Sequence, residues 1–233
     1  MEENKDRKGA FLIIISIATL IVAIIGATFA YFTATANSTE NAVNFTAYEF
    51  NASVSVSKIA PSAAINNLIP IYADTDIVNV ISLANNSANN GSCIDANGYT
   101  GCAIYKVTIS NGSTKDALTL KGSLKSLNEN AYENLKLSFL TESNGTYSAS
   151  GTVIDIDEEN EHVTNLYDAL GNDVSVGVAT DSQTPTTVDL YFVIYLDDTS
   201  TAQNSEMGQT FIGQLIFEST TGANGKLTAQ ISV

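Results

Sequence analysis

The chain has 233 residues, 44% hydrophobic and 15% charged, too apolar for a disordered chain and too sparing of charge for a coiled coil. Residues 1–30 hold three basic and three acidic residues, so residues 31–233 carry all of the net charge of −15 with seven lysines and no arginine, which excludes the basic stripe that nucleic acid requires and disfavours anionic membrane surfaces. One histidine, two cysteines and no tryptophan leave no material for a His-rich or four-cysteine zinc site.

Residues 1–9 are mostly charged and residues 10–27 are apolar apart from Ser16 and Thr19, which is the layout of an export signal. Lys5, Arg7 and Lys8 form its positive head, and Thr28 and Ala30 are the small residues that a signal peptidase accepts, so cleavage is expected between Ala30 and Tyr31. Two alternatives stay open. Ala10 to Ala30 is long enough to cross a bilayer about 30 Å thick as an uncleaved anchor, the one route by which the chain would meet a membrane. A type IV pilin leader ending at Gly9 would keep the apolar helix, but Ile14 stands where such pilins usually carry glutamate, and Thr33 to Thr39 favour turns. With the signal or the anchor, residues 31–233 are extracellular or at the cell surface, because the positive charge stays inside.

From Asn44 onward the recurring period is two. Ser53 to Ser57 alternates strictly, and so does Leu118 to Lys121. Ile104 to Ile109, Leu135 to Leu140, Val174 to Val178, Leu190 to Leu196, Phe211 to Phe217 and Leu227 to Val233 are short runs rich in Val, Ile, Tyr and Phe. About nine or ten strands are expected, with Asn111-Gly112, Asn144-Gly145 and Asn224-Gly225 as tight turns. Helix is expected only over Val163 to Leu170, capped by Gly171, and for one turn over Ser62 to Leu68. The pattern predicts an all-β fold: a single antiparallel β-sandwich over residues 44–233, with 84–101 and 155–173 as insertions.

Cys93 and Cys102 flank a Gly-containing turn, and in an exported chain such a pair reads as a local disulfide. Asp155, Asp157, Glu159 and Glu161 gather carboxylates that suit Ca²⁺, the one cofactor the sequence suggests. The run departs from the EF-hand pattern, with Asn160 at the glycine position and Leu166 at the closing glutamate, and a solvated loop is the plainer reading. His162 has no second histidine to form HExxH, and neither a G-x-S-x-G elbow nor a phosphate-binding loop occurs, so no catalytic residue is assigned and no enzyme is expected.

Gly26 to Phe50 resembles the start of the TasA and camelysin family of exported Gram-positive proteins: a signal ending in Ala, an aromatic pair, then a Thr/Asn-rich stretch leading to a first strand. Ser53 to Ser57 with Pro61, Tyr105 to Asn111, and Gly208 to Glu218 resemble later strands of that family. The resemblance implies a jelly-roll sandwich and assembly into biofilm matrix fibres, the freed N-terminal segment adding a strand to the next copy. Residues 31–43 suit that role, being apolar at Tyr31, Phe32, Ala34, Ala36 and Val43 and free of Pro and Gly. The metalloprotease activity described for camelysin relatives is not carried over, since HExxH is missing. The expectation is therefore a non-catalytic surface or matrix subunit partnered by copies of itself. A membrane-anchored monomer binding a partner through 84–101 or 155–161 is the alternative.

Overall fold

Alternating sequence builds twelve strands and two short helices among the residues that the structure, a computed structural model, describes: 51–233 without 63–64, 66–67, 74–76, 87–90, 129–131, 157–162, 182, 205, 207 and 221–224. In chain order these are β1 (Ala52–Ala60), β2 (Pro70–Ile71), α1 (Val78–Ala84), β3 (Cys102–Asn111), β4 (Leu118–Ser126), β5 (Leu135–Ser143), β6 (Thr146–Ala149) and β7 (Ile154–Asp155). Then follow β8 (Val163–Asn165), α2 (Tyr167–Leu170), β9 (Val174–Val176), β10 (Thr186–Asp197), β11 (Ile212–Ser219) and β12 (Lys226–Ser232).

Two sheets result. One runs β1-β3-β10-β5-β6, with β2 added to β10 and β7 to β5; the other runs β12-β11-β4-β8, with β9 also on β4. All pairings between these strands are antiparallel except β2 with β10. β4 pairs with β11 in one sheet while β5 pairs with β10 in the other, so the β4–β5 and β10–β11 connections both pass between sheets.

The space between the sheets is filled by one side of each strand, as period-two alternation requires. β3 contributes Ala103, Tyr105, Val107 and Ile109; β11 and β12 answer with Leu215, Phe217, Leu227 and Ile231, all buried. At the centre Phe192 lies opposite Tyr105 and Phe139 in the ladder. Its ring stacks on the first at 5.3 Å and meets the second edge-on at 6.0 Å. These are the two arrangements that ring quadrupoles favour.

Three expectations need correction. Val163 to Leu170 is not a two-turn helix: Val163–Asn165 pairs with Ser123–Lys125 of β4, and one helical turn follows, ended by Gly171 at φ 75° as expected. The β4 edge supplies ladder bonds that two isolated helical turns could not match. Asn111-Gly112 is not a tight hairpin: Asn111 is fully buried and its side chain donates to the carbonyls of Asp116 and Gly177 while accepting from Ser113, latching the crossing from β3 to β4. Asn144-Gly145 does form the two-residue turn, with φ of 52° and 78° as that geometry needs. Third, helix forms where none was expected: α1 packs on the outer face of the larger sheet just before the 84–101 segment, whose described residues after Ala84 are loop as expected. Of Ser62 to Leu68, only Ser62, Ile65 and Leu68 are described.

Candidate assembly edges and a disulfide-pinned flap

A strand at the edge of a sheet points half of its backbone N–H and C=O groups away from its one neighbour. In β12, Val233 and Phe211 exchange both backbone bonds at 2.9 Å, so Leu227, Ala229 and Ile231 face β11, and Lys226, Thr228, Gln230 and Ser232 turn theirs outward. In β1, the Gly112 N–H donates to the Asn51 carbonyl at 2.7 Å, which places Ser53, Ser55 and Ser57 toward β3 and leaves the backbone of Ala52, Val54 and Val56 outward. β1 and β12 lie along the same rim, with Cα atoms within 8 Å, and the Tyr105 hydroxyl crosses from one sheet to the other to donate to the Ser232 carbonyl. Among the described residues no other strand pairs with the outer side of either.

The opposite rim differs. β7, β8 and β9 have two or three residues each, and β6 has four. The register makes Tyr147 and Ala149 the β6 residues whose backbone turns away from β5.

Over this end of the larger sheet lies the flap, made of the described residues of 72–101. Cys102 and Ile104 of β3, Val193 and Tyr195 of β10 and Leu140 of β5 point outward, opposite to the sandwich core, and are buried beneath Ile77, Val80 and Ala84. Val80 and Ala84 lie one turn apart on α1 and Ile77 is its N-cap, so one side of the helix meets the sheet. Cys93 and Cys102 form the disulfide, with Cα atoms 4.9 Å apart and both residues fully buried. The Cys93 N–H donates to the Leu83 carbonyl at 3.0 Å and the Asn86 side chain to the Ile94 carbonyl at 3.1 Å, tying the disulfide loop to the end of α1. Gly101 allows this closeness: a Cβ there would meet Ile71 Cδ1 at 2.4 Å and Leu83 Cδ2 at 2.5 Å. Tyr72, Val78 and Tyr99 of the flap are more than half exposed.

Of the residues singled out by sequence, the disulfide pair is the one the described structure brings together. Ala30 and Tyr31 at the expected cleavage point, and Phe32, Ala34, Ala36 and Val43 of the candidate donor strand, lie outside the described residues, as do Asp157, Glu159, Glu161 and His162. Asp155 is the end of β7, and its carboxylate pairs with the Lys136 ammonium across the ladder. Among the described residues no three His, Cys, Asp or Glu side chains converge as a metal site.

The strongest polar cluster elsewhere is a buried carboxylate. Glu206 accepts from the Gln203 side chain at 2.9 Å and faces Asn134 at 3.3 Å, fixing the β10–β11 crossing. Beside it, burial and the Glu206 charge push the Tyr132 hydroxyl up to about 12. On the outer face of the larger sheet, Lys106 reaches Asp189 at 2.8 Å and lies 5.7 Å from the Tyr191 ring centroid. Burial works to raise the Asp189 carboxyl, but bonds from Lys106 and Thr108 hold it below the ordinary value, while the bond to Asp189 raises Lys106. Both are partly exposed, and the pair is a surface brace.

No family model matches the chain, and no curated protein matches it. Among solved structures it is similar to the CooA pilin subunit from enterotoxigenic Escherichia coli, at 12% identity over 77% of this chain and 95% of that one, with a TM-score of 0.29.

Proposed function

We propose that this chain is an exported, non-catalytic structural subunit of a cell surface or extracellular matrix, and that it assembles by donating residues 31–43 as a strand to a neighbouring copy. The observation that carries the reading is the rim where β1 and β12 lie side by side with their outward ladder groups unpaired by any described strand. The candidate donor precedes β1 in the sequence and carries apolar Tyr31, Phe32, Ala34, Ala36 and Val43 for such an edge. Likeness of Gly26 to Phe50 and Gly208 to Glu218 to the TasA and camelysin family supports the same conclusion, as does the nested β4–β11 and β5–β10 pairing, the arrangement of a jelly roll. The buried disulfide supports an oxidising location outside the cytoplasm.

Deleting residues 31–43 tests the reading. The expected product is a folded monomer, with its disulfide formed and melting temperature retained, that extends no fibres by electron microscopy. Fibres of normal length from that deletion would overturn strand donation.

A second reading, a membrane-anchored surface module, is favoured by one observation: the exposed Tyr72, Val78 and Tyr99 on the flap. It requires a chain retained in membranes with Met1 intact, and a partner whose binding is lost on replacing Tyr72 and Tyr99 with serine. Recovery from the medium of a chain starting at Tyr31 would eliminate it.

A further inference from the structure

The flap does more than bury apolar surface: the residue that caps its helix reaches an edge strand. Asn85, the C-cap of α1, donates through Nδ2 to the Tyr147 carbonyl at 2.7 Å and accepts the Tyr147 N–H on Oδ1 at 2.7 Å. Tyr147 is a β6 residue whose backbone turns away from β5. One carboxamide thus makes both bonds that the backbone of an added strand would make at that position, and it occupies the space where that strand would run.

We infer that Asn85 is a stop that closes the β6 edge of the larger sheet to strand addition by a second copy of this chain. Three features belong to the device. α1 is seated by buried Val80 and Ala84, so the carboxamide is carried on a fixed element. The clamps from Cys93 to Leu83 and from Asn86 to Ile94 tie the end of α1 to the disulfide loop. The remaining edges of that rim have two or three residues each, too short to template a partner, so the four-residue β6, extended by Ser150 donating to Phe139 at 2.9 Å, is the place where a stop is needed. On the β1–β12 rim, Ala52, Val54, Val56, Thr228 and Gln230 carry no such side-chain plug on both backbone groups among the described residues. Assembly by strand addition then has one acceptor rim per subunit, which gives unbranched chains. The inference rests on strand addition as the mode of association, although not on which segment is donated.

The test uses the native processed protein and two variants, Asn85→Ala and Asn85→Ala with Ala149→Pro. The Ala149 N–H also points away from β5, so proline there leaves the native ladder intact while blocking any strand that approaches β6. Sedimentation velocity at equal concentration should show Asn85→Ala associating beyond the wild type, with branched or laterally joined particles by electron microscopy. Adding Ala149→Pro should restore the wild-type distribution. Association of Asn85→Ala equal to that of the wild type, or an excess that Ala149→Pro leaves unchanged, overturns the inference. If Asn85→Ala does not fold, hydrogen exchange on the monomeric wild type, with the β1–β12 rim unoccupied, decides: the Tyr147 amide should exchange at least about tenfold more slowly than the outward amides of Val54 and Thr228, and equal rates overturn the stop. Fibres that persist after deletion of 31–43 would remove the proposed donor but not the stop, whereas failure of the Ala149→Pro rescue removes the stop and not the donor.

Discussion

Replacing both Cys93 and Cys102 with alanine should destabilise the fold by an amount the sequence separation sets. The bond joins residues nine apart, and the loop-closure relation for a ring of about ten residues gives about 2.7 kcal/mol at 25 °C. Both residues are fully buried against Ile77, Val80 and Ile104, so the sulfur atoms also leave small voids, and the total should be about 3 kcal/mol. For a domain of this size that lowers the melting temperature by roughly 6 to 12 °C. Urea unfolding followed by far-ultraviolet circular dichroism measures it, since the chain has no tryptophan to report by fluorescence. The flap should also detach before the sandwich melts, giving a shallower transition and early exchange of the backbone amides at positions 93 and 85, which close its backbone bonds. A loss under about 1 kcal/mol, with one sharp transition of unchanged slope, would refute the view that the bond pins the flap.

Gly151 has φ of 100°, and a Cβ there would lie 2.0 Å from the Ala169 carbonyl oxygen, which the Thr152 N–H already uses. Gly151→Ala should therefore cost more than about 2 kcal/mol by thermal unfolding, while Gly145→Ala, with nothing within 4 Å, should cost only about 1 kcal/mol. The folded state holds the Tyr132 proton more tightly than the unfolded chain does, so its contribution is complete below pH 10 and is lost as pH rises from about 10 toward 12. The loss should reach roughly 2 to 3 kcal/mol, and Tyr132→Phe should flatten that alkaline fall. Because the Asp155 carboxylate is held by Lys136, millimolar Ca²⁺ should leave the melting temperature unchanged; a rise abolished by Asp155→Asn would restore a calcium site to that loop.

Strands buried on one face were legible because period two survives in them: Ser53 to Ser57 and Leu118 to Lys121 lie in β1 and β4. β3 shows where the rule bends. Cys102 to Tyr105 are buried consecutively because the flap covers one face and the second sheet the other, and a continuous apolar run says strand without saying what covers it. α1 was missed because Val78-Asn-Val-Ile is rich in β-branched residues. The signal that could have found it is the spacing of Ile77, Val80, Ile81 and Ala84, which follows a helical stripe. The identical dipeptides Asn111-Gly112 and Asn144-Gly145 took different roles, since only the second joins two neighbouring strands of one sheet. Asn85 was not legible at all: its partner Tyr147 is 62 residues away, and the sequence around Asn85 reads as loop.

The β1–β3 pairing also fixes how the fold answers force. Ala52 to Lys58 is matched residue for residue with Asn111 to Tyr105, and β3 is itself held by ten partners in β10. Tension arriving through the chain that precedes β1 and directed along that strand would load all of these rungs together, in shear. The same tension applied sideways would peel β1 from the rim one rung at a time. A row of copies pulled along the strand direction would therefore bear far more load than one pulled across it, and stretching single molecules through Ala52 and Ile104, at opposite ends of the β1–β3 pairing, compared with Ala52 and Asn111, at the same end, would give two distinct rupture forces.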